Sequence, residues 1–256
     1  MTIGQARVYA RNLLAEHSDA PELDTDWLLL SILHKSEVSL LTIESETSLT
    51  DNEYKRLTSL LQQRISGIPL AYILGEAHFY GRVFAVTPEV LIPRPATEAL
   101  VQRALKVIQD LQGSLGRPLV VADIGTGSGC VAITLLMESA SAIGHMIATD
   151  ISPAALLIAQ QNVDTYELDK RITFLPGNML EPIQDTMIDL LVSNPPYVPT
   201  EELDRPSGQD TVGLRFEPRQ ALDGGQDGLL YVQTLIASGI PAVIETVGGE
   251  ILTSNI

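Results

Sequence analysis

Two short segments of this chain hold the residue types that chemistry needs. The first is Asp123-Ile124-Gly125-Thr126-Gly127-Ser128-Gly129, directly after an apolar run. Glycine at such a point permits positive φ and lets the backbone come close to a ligand. The spacing is G-x-G-x-G, with Cys130 where a dinucleotide site would carry its third glycine, so this is not the fingerprint of nicotinamide enzymes. A second carboxylate, Asp150, ends the next strand-like run. There it can accept hydrogen bonds from both ribose hydroxyls of a nucleoside. Asp150 also reads as a helix-start residue beside Ser152.

The second segment is Asn194-Pro195-Pro196-Tyr197. Two prolines fix the backbone and remove two donors, which leaves carbonyls free to accept. The Asn194 side-chain oxygen and the Pro195 carbonyl can take the two hydrogens of an NH2 group. Tyr197 offers a flat face to a planar group. The competing reading of this tetrapeptide is a rigid turn with a packed tyrosine. Taken together and in this order, the segments describe an enzyme that holds S-adenosylmethionine on the glycine loop and a planar NH2-bearing group on the other.

The elements around them alternate. The pattern predicts a helix over 97–109, a strand over 119–124, a helix over 130–138 and a strand over 145–149. Ser152-Pro153 makes an N-cap and first-turn pair for a helix to about residue 165. Strands over 172–175 and 188–193 and a helix over 227–238 follow. Strands separated by helices imply an α/β fold with a parallel, doubly wound sheet, whose loops meet in a crevice at the carboxyl ends of the strands. About five strands fit before the end, and residues 253–256 are not expected to continue a buried strand.

Upstream, residues 1–74 read as helical. Thr50 and Glu53 have capping-box spacing, and Leu57, Leu60, Leu61 and Ile65 follow at helical intervals until Gly67 and Pro69. The second half of 21–34 is too apolar for a surface helix. Residues 75–95 mix aromatic and β-branched residues around Gly81, which favours a hairpin, before the proline-rich Leu91-Ile92-Pro93-Arg94-Pro95. The expected division is therefore a helical domain over 1–74, a hairpin connector over 75–95 and an α/β domain over 96–256.

The chain has 32 acidic and 16 basic residues, a net charge of −16. That balance is a poor match to a nucleic-acid backbone. No apolar run approaches the ~20 residues of a membrane helix. Cys130 is the single cysteine, so no internal disulfide forms and a cytoplasmic location is expected. It begins an apolar helix and reads as a packing residue.

With these residues in view, the chain resembles the release-factor glutamine methyltransferases, the PrmC/HemK family. The resemblance runs through Gly67-Ile68-Pro69-Leu70-Ala71-Tyr72-Ile73-Leu74-Gly75, the 91–95 stretch, 123–133 and 193–197. It continues in Arg215-Phe216-Glu217-Pro218-Arg219-Gln220-Ala221-Leu222 and on to Leu229, a stretch more family-specific than Asn-Pro-Pro-Tyr. The resemblance implies a class I S-adenosylmethionine-dependent methyltransferase, Rossmann-like, with an N-terminal helical bundle and a connecting hairpin. It implies that the helices recognise a class I peptide-chain release factor. The glutamine of that factor's Gly-Gly-Gln loop would be held by Asn194, Pro195, Pro196 and Tyr197 and methylated on N5. Asn194, Pro195 and Tyr197 would be catalytic. The cofactor would lie on Asp123, Gly125, Thr126, Gly127, Ser128, Gly129, Asp150, Asn178, Met179 and Asn194, with no metal. The chain would act as a monomer, without direct nucleic-acid or membrane contact.

The sequence departs from the family at three places. Ala96 replaces an acidic residue, and Asn178-Met179 replaces an acidic residue with its aromatic or apolar neighbour. The family also ends with about two further strands, so a truncated sheet with an exposed edge is expected here. Two other functions compete: amino methylation of adenine or guanine in nucleic acid, which the charge disfavours, and a non-catalytic binding protein with a shortened sheet.

Overall fold

The computed structural model describes residues 1–34, 45–139, 141–205 and 213–256. They divide into two units, Met1–Gly75 and Glu76–Ile256. In the first, α1 (Ile3–Leu14), α2 (Pro21–Leu33), α3 (Asp51–Ile65) and the short α4 (Leu70–Leu74) form a bundle. The expected capping box is present: the Glu53 amide donates to Thr50 Oγ1 at 3.3 Å, and the Thr50 amide donates to Glu53 Oε2 at 2.7 Å. Leu14, Leu28, Leu29, Leu57 and Leu61 are fully enclosed in the bundle core. Each such side chain contributes roughly 1.5–3 kcal/mol over its exposed state. The unit is not purely helical, since Thr2 and Ser48 form an antiparallel bridge.

The second unit opens with a hairpin, β1 (Glu76–Phe79) and β2 (Arg82–Ala85), turning at Tyr80 and Gly81, both at positive φ. That pair of left-handed residues matches the twist a two-residue hairpin turn needs. Next come α5 (Thr97–Leu115), β3 (Leu119–Ile124), α6 (Cys130–Glu138), β4 (Ile143–Asp150), α7 (Pro153–Thr165), β5 (Ile172–Pro176) and β6 (Leu190–Ser193). The chain ends with α8 (Thr200–Asp204), α9 (Leu230–Ala237), β7 (Ala242–Glu245) and β8 (Ile251–Ser254). Helix α5 outruns the expected 97–109 because Gly113 does not stop it. The stop comes at Gly116, in the left-handed conformation.

The sheet order is β5-β4-β3-β6-β7-β8. Neighbours are parallel except β8, which runs antiparallel to β7. Strand order reverses between β3 and β6, which are directly paired through Asp123 and Val192. The glycine loop follows one and Asn194 the other, so both leave the carboxyl ends of neighbouring central strands, side by side.

One expectation is corrected. The sheet has six strands among the described residues, and Thr253 and Ser254 belong to the sixth. Gly248 and Gly249, both at φ +75°, turn the chain back onto β7. All four positions of β8 are only half-buried, so this edge strand needs no continuous apolar run. Its polar groups are used: Arg103 Nε donates to Thr253 Oγ1 at 2.9 Å, and Asn255 Nδ2 donates to the carbonyls of Ile236 and Ile240 at 3.1 Å. Among the described residues no helix is long and apolar enough to cross a membrane, and no cluster suits a metal ion.

Candidate active site

The glycine loop is pinned on three sides. The amides of Gly125 and Thr126 both donate to the Thr149 carbonyl at 2.9 Å, which ties the loop to the end of β4. Thr126 Oγ1 donates to Asp123 Oδ2 at 2.7 Å. Asn162, buried on α7, donates to the carbonyls of Ser128 at 2.8 Å and Ala85 at 3.0 Å, and accepts from the Ala85 amide at 2.7 Å. One side chain thereby fastens the hairpin to the loop, a role sequence spacing does not signal. Gly125 (φ +73°) and Gly127 (φ +55°) have open space where a Cβ would stand. Gly129 differs: a Cβ there would meet Ala159 at 3.3 Å, so it serves close packing of α6 on α7.

Asp150 ends β4 and bridges the glycine loop to the start of α7. Its Oδ2 accepts from the Gly127 amide and its Oδ1 from the Ser152 amide, each at 2.9 Å. Each carboxylate oxygen keeps accepting capacity beyond those bonds. Burial raises its carboxyl above the usual range, opposed by these amides.

Asp123 lies deeper, at 2% exposure, and burial pushes its carboxyl up to about 7. The folded chain therefore takes up a proton more readily than the unfolded chain between the ordinary carboxylate range and about 7. This group's contribution to stability is fully present below the unfolded value and is lost as pH rises through about 7. The melting temperature of Asp123→Asn should fall less than that of the wild type between about pH 5 and pH 8. Parallel melting curves check this, and identical pH slopes would refute it.

The second loop leaves β6 at Asn194. Asn194 Nδ2 donates to Thr97 Oγ1 at 3.0 Å, while its Oδ1 is enclosed and has no partner among the described residues. Pro195 is buried and Pro196 half-buried. Tyr197 is half-buried, and its hydroxyl donates to Glu245 Oε1 at 3.4 Å. The family-specific stretch 215–229 clamps this loop. The Val198 amide donates to the Leu222 carbonyl at 2.9 Å, the Gly224 amide to the Val198 carbonyl at 2.8 Å, and the Thr200 amide to the Gly225 carbonyl at 2.9 Å. Glu217, buried, pairs with Arg94 and accepts from the Ile92 amide at 3.3 Å. The clamp depends on glycine. A Cβ at Gly228 would sit 2.3 Å from the Tyr197 carbonyl oxygen. Gly228→Ala should therefore cost on the order of 2 kcal/mol or more in urea unfolding. Gly239→Ala, equally left-handed but with open space, should show the backbone strain alone. Equal losses in the two variants would contradict the clamp.

A single cavity wall joins these parts. Asp123, Gly125, Thr126, Gly127, Ser128, Asp150, Asn178, Met179, Asn194 and Pro196 all line it. Gly129, Pro195 and Tyr197 stand outside that lining. Thr97, Ile151 and Tyr231, which no local signal marked, line it as well, as does Arg94 of the proline-rich stretch. Asn178 and Met179 reach it from the turn after β5, where Met179 holds a left-handed φ of 49° and its carbonyl accepts from Thr149 Oγ1 at 3.4 Å.

A glycine loop and an Asn-Pro-Pro-Tyr loop on adjacent parallel strands, with a carboxylate at the end of the next strand, define an S-adenosylmethionine-dependent methyltransferase. The residues fit that cofactor: Gly125 and Gly127 leave open space for a close ligand, and the Asp150 carboxylate on the same wall keeps accepting capacity beyond its two amide bonds. Residues 5–75 match the PrmC N-terminal domain, and residues 99–212 match the Methyltransferase small domain. The chain is 37% identical over 236 residues to the release factor glutamine methyltransferase of Geobacter sulfurreducens, covering 92% of this chain and 78% of that protein. It is 34% identical over 247 residues to that of Bacillus anthracis, covering 96% and 83%. Among solved structures, the hMettl16 catalytic domain in complex with the MAT2A 3'UTR hairpin 6 is similar at 17% identity and a TM-score of 0.48, covering 82% of this chain and 73% of that one. The chain belongs to the release factor glutamine methyltransferase family.

Proposed function

We propose that this enzyme methylates the side-chain amide nitrogen N5 of the glutamine in the Gly-Gly-Gln loop of a class I peptide-chain release factor. The observation that supports this most is the placement of Asn194 on the cavity wall beside the glycine loop, its side-chain oxygen having no partner among the described residues. S-adenosylmethionine supplies the electrophilic methyl group. Gly125, Thr126, Gly127 and Ser128 hold it through the loop backbone, and Asp150 accepts from its ribose. Asn178 and Met179 cover the adenine, Met179 as an apolar contact.

Asn194 Oδ1 and the Pro195 carbonyl accept the two amide hydrogens of the glutamine. An amide nitrogen is a weak nucleophile because its lone pair is delocalised. Two fixed acceptors favour a pyramidal nitrogen and hold it in line, so positioning and electrostatics carry the rate. Tyr197 packs near the amide plane and stiffens the loop. Among the described residues no His or Lys base stands in the cavity wall, and the proton leaves to water after transfer. The helical unit at 1–74 recognises the release factor, and the chain works as a monomer in the cytoplasm, a reducing compartment that suits its one cysteine.

Transfer of labelled methyl from S-adenosylmethionine to purified release factor, beside parallel RNA and DNA reactions, tests the proposal. Label in the release factor alone is expected. Label in nucleic acid alone would replace this reading with amino methylation of a base.

A further inference from the structure

Asn162 is 2% exposed and stands outside the cavity lining, yet its amide holds the glycine loop on one side and the end of the hairpin on the other. One Nδ2 hydrogen goes to the Ser128 carbonyl at 2.8 Å and the other to the Ala85 carbonyl at 3.0 Å, while Oδ1 accepts from the Ala85 amide at 2.7 Å. Two carbonyls and one N–H settle which end of the side chain faces which partner, and both of its hydrogens are spent. Asn162 therefore has no donor left for a ligand, and whatever it does for the site it does through the backbone.

On the loop side, Ser128 lines the cavity between Gly127 at φ +55° and Gly129 at φ +80°. Glycine tolerates either sign of φ, so backbone sterics alone do not hold the peptide between Ser128 and Gly129. Hydrogen bonds hold it instead: its carbonyl accepts from Asn162, and its N–H donates to the Thr126 carbonyl at 2.8 Å. On the hairpin side, Ala85 ends β2, and beyond it Glu89, Val90 and Leu91 line the cavity. Tyr166, four residues after Asn162, donates its hydroxyl to the Val83 carbonyl at 2.7 Å and accepts from the Val83 amide at 3.1 Å. Val83 and Ala85 present the same edge of β2, and the two side chains take the place of a third strand along it. Both dock the hairpin, but only Asn162 also bonds the glycine loop.

We propose that Asn162 is a positioning residue of the cofactor site: it orients the Ser128–Gly129 peptide and ties it to the hairpin whose continuation forms another part of the cavity wall. This rests on the reading of the glycine loop as the segment that holds S-adenosylmethionine.

Asn162→Leu keeps the approximate size and removes every polar atom. Asn162→Ser is milder to the fold and has one donor, which cannot serve both carbonyls. Tyr166→Phe removes the second hairpin tie and leaves the loop bond in place. Hydrogen exchange is followed by mass spectrometry in the cofactor-free proteins, beside calorimetric affinity for S-adenosylmethionine at a temperature where each is folded. Both Asn162 variants should exchange faster over 125–130 and 82–86, whereas Tyr166→Phe should do so over 82–86 alone. Asn162→Leu should bind the cofactor roughly 10-fold more weakly, the equivalent of about one neutral hydrogen bond. Its kcat at saturating cofactor should stay near wild type, and Tyr166→Phe should keep wild-type affinity. Asn162→Ser should shift in the same direction as Asn162→Leu, which keeps the test decisive if the leucine variant folds poorly. Unchanged exchange over 125–130, wild-type affinity in the Asn162 variants, or an equal affinity loss in Tyr166→Phe would overturn the proposal. Asp150→Ala in the same titration separates the two levels. Wild-type affinity there as well would overturn the reading of the cofactor site itself, while a loss there beside unaffected Asn162 variants would overturn only the positioning role.

Discussion

Asn194→Ala should slow methyl transfer to release factor by roughly 10²–10³-fold, the cost of losing one preorganised polar contact to the reacting group. Cofactor affinity should stay close to wild type. The two effects separate because Asn194 spends its nitrogen on Thr97 and keeps its oxygen for the site, while the glycine loop is held by other residues altogether. Thr149, Asp123 and Asn162 pin that loop without help from Asn194. The change removes an oxygen that has no partner among the described residues, but it also takes the Asn194 donor from the buried Thr97 hydroxyl, so a stability loss of about 1–3 kcal/mol accompanies it. Steady-state kinetics and calorimetry on one preparation decide the matter. Unchanged kcat would refute the assignment of Asn194 to the substrate, and a collapse of cofactor affinity would show that the loops are not independent.

Asp150→Ala should give the opposite pattern. Two charge-assisted hydrogen bonds to ribose hydroxyls would be lost, worth about 3 kcal/mol together, or roughly 10²-fold in cofactor affinity. The same carboxylate bridges the amides of Gly127 and Ser152, so its removal also loosens the tip of the glycine loop and the start of α7. Asp150→Asn keeps an acceptor and loses the charge, and its affinity should fall between those of wild type and alanine. Equal affinity in the alanine variant by calorimetry would remove Asp150 from the ribose site. A raised KM for the cofactor with little change in kcat at saturation is the expected kinetic signature.

The parts of the site that were legible in the sequence are those whose signal is local. Gly125 follows β3 directly, Gly127 lies two residues on, Asp150 ends β4, and Asn194-Pro195-Pro196-Tyr197 carries its own rigidity. What stayed hidden depends on residues far apart in the chain. Thr97 meets Asn194 across 97 positions, and Glu217 meets Arg94 across 123. Neither partner announces the other, since a threonine at a helix start and a glutamate in a loop are ordinary at the surface. The stretch 215–229 stood out as family-specific, but its task, a backbone clamp on residues 198–200, shows only once Val198 and Thr200 are seen paired with residues 222–225. Strand β8 was missed for a different reason. An edge strand that is half-buried on all its positions need not be apolar, and Thr253 is held by Arg103, from the distant helix α5.

The central claim is that the Asn194 loop presents an amide nitrogen of glutamine to the cofactor held on the glycine loop. Its most direct test is to incubate release factor with this enzyme and S-adenosylmethionine and to locate the added methyl by fragment mass spectrometry. One methyl on the side-chain nitrogen of the Gly-Gly-Gln glutamine, absent when the enzyme is Asn194→Ala, is the predicted result. A methyl on another residue, or the same methyl formed at full rate by Asn194→Ala, would contradict it.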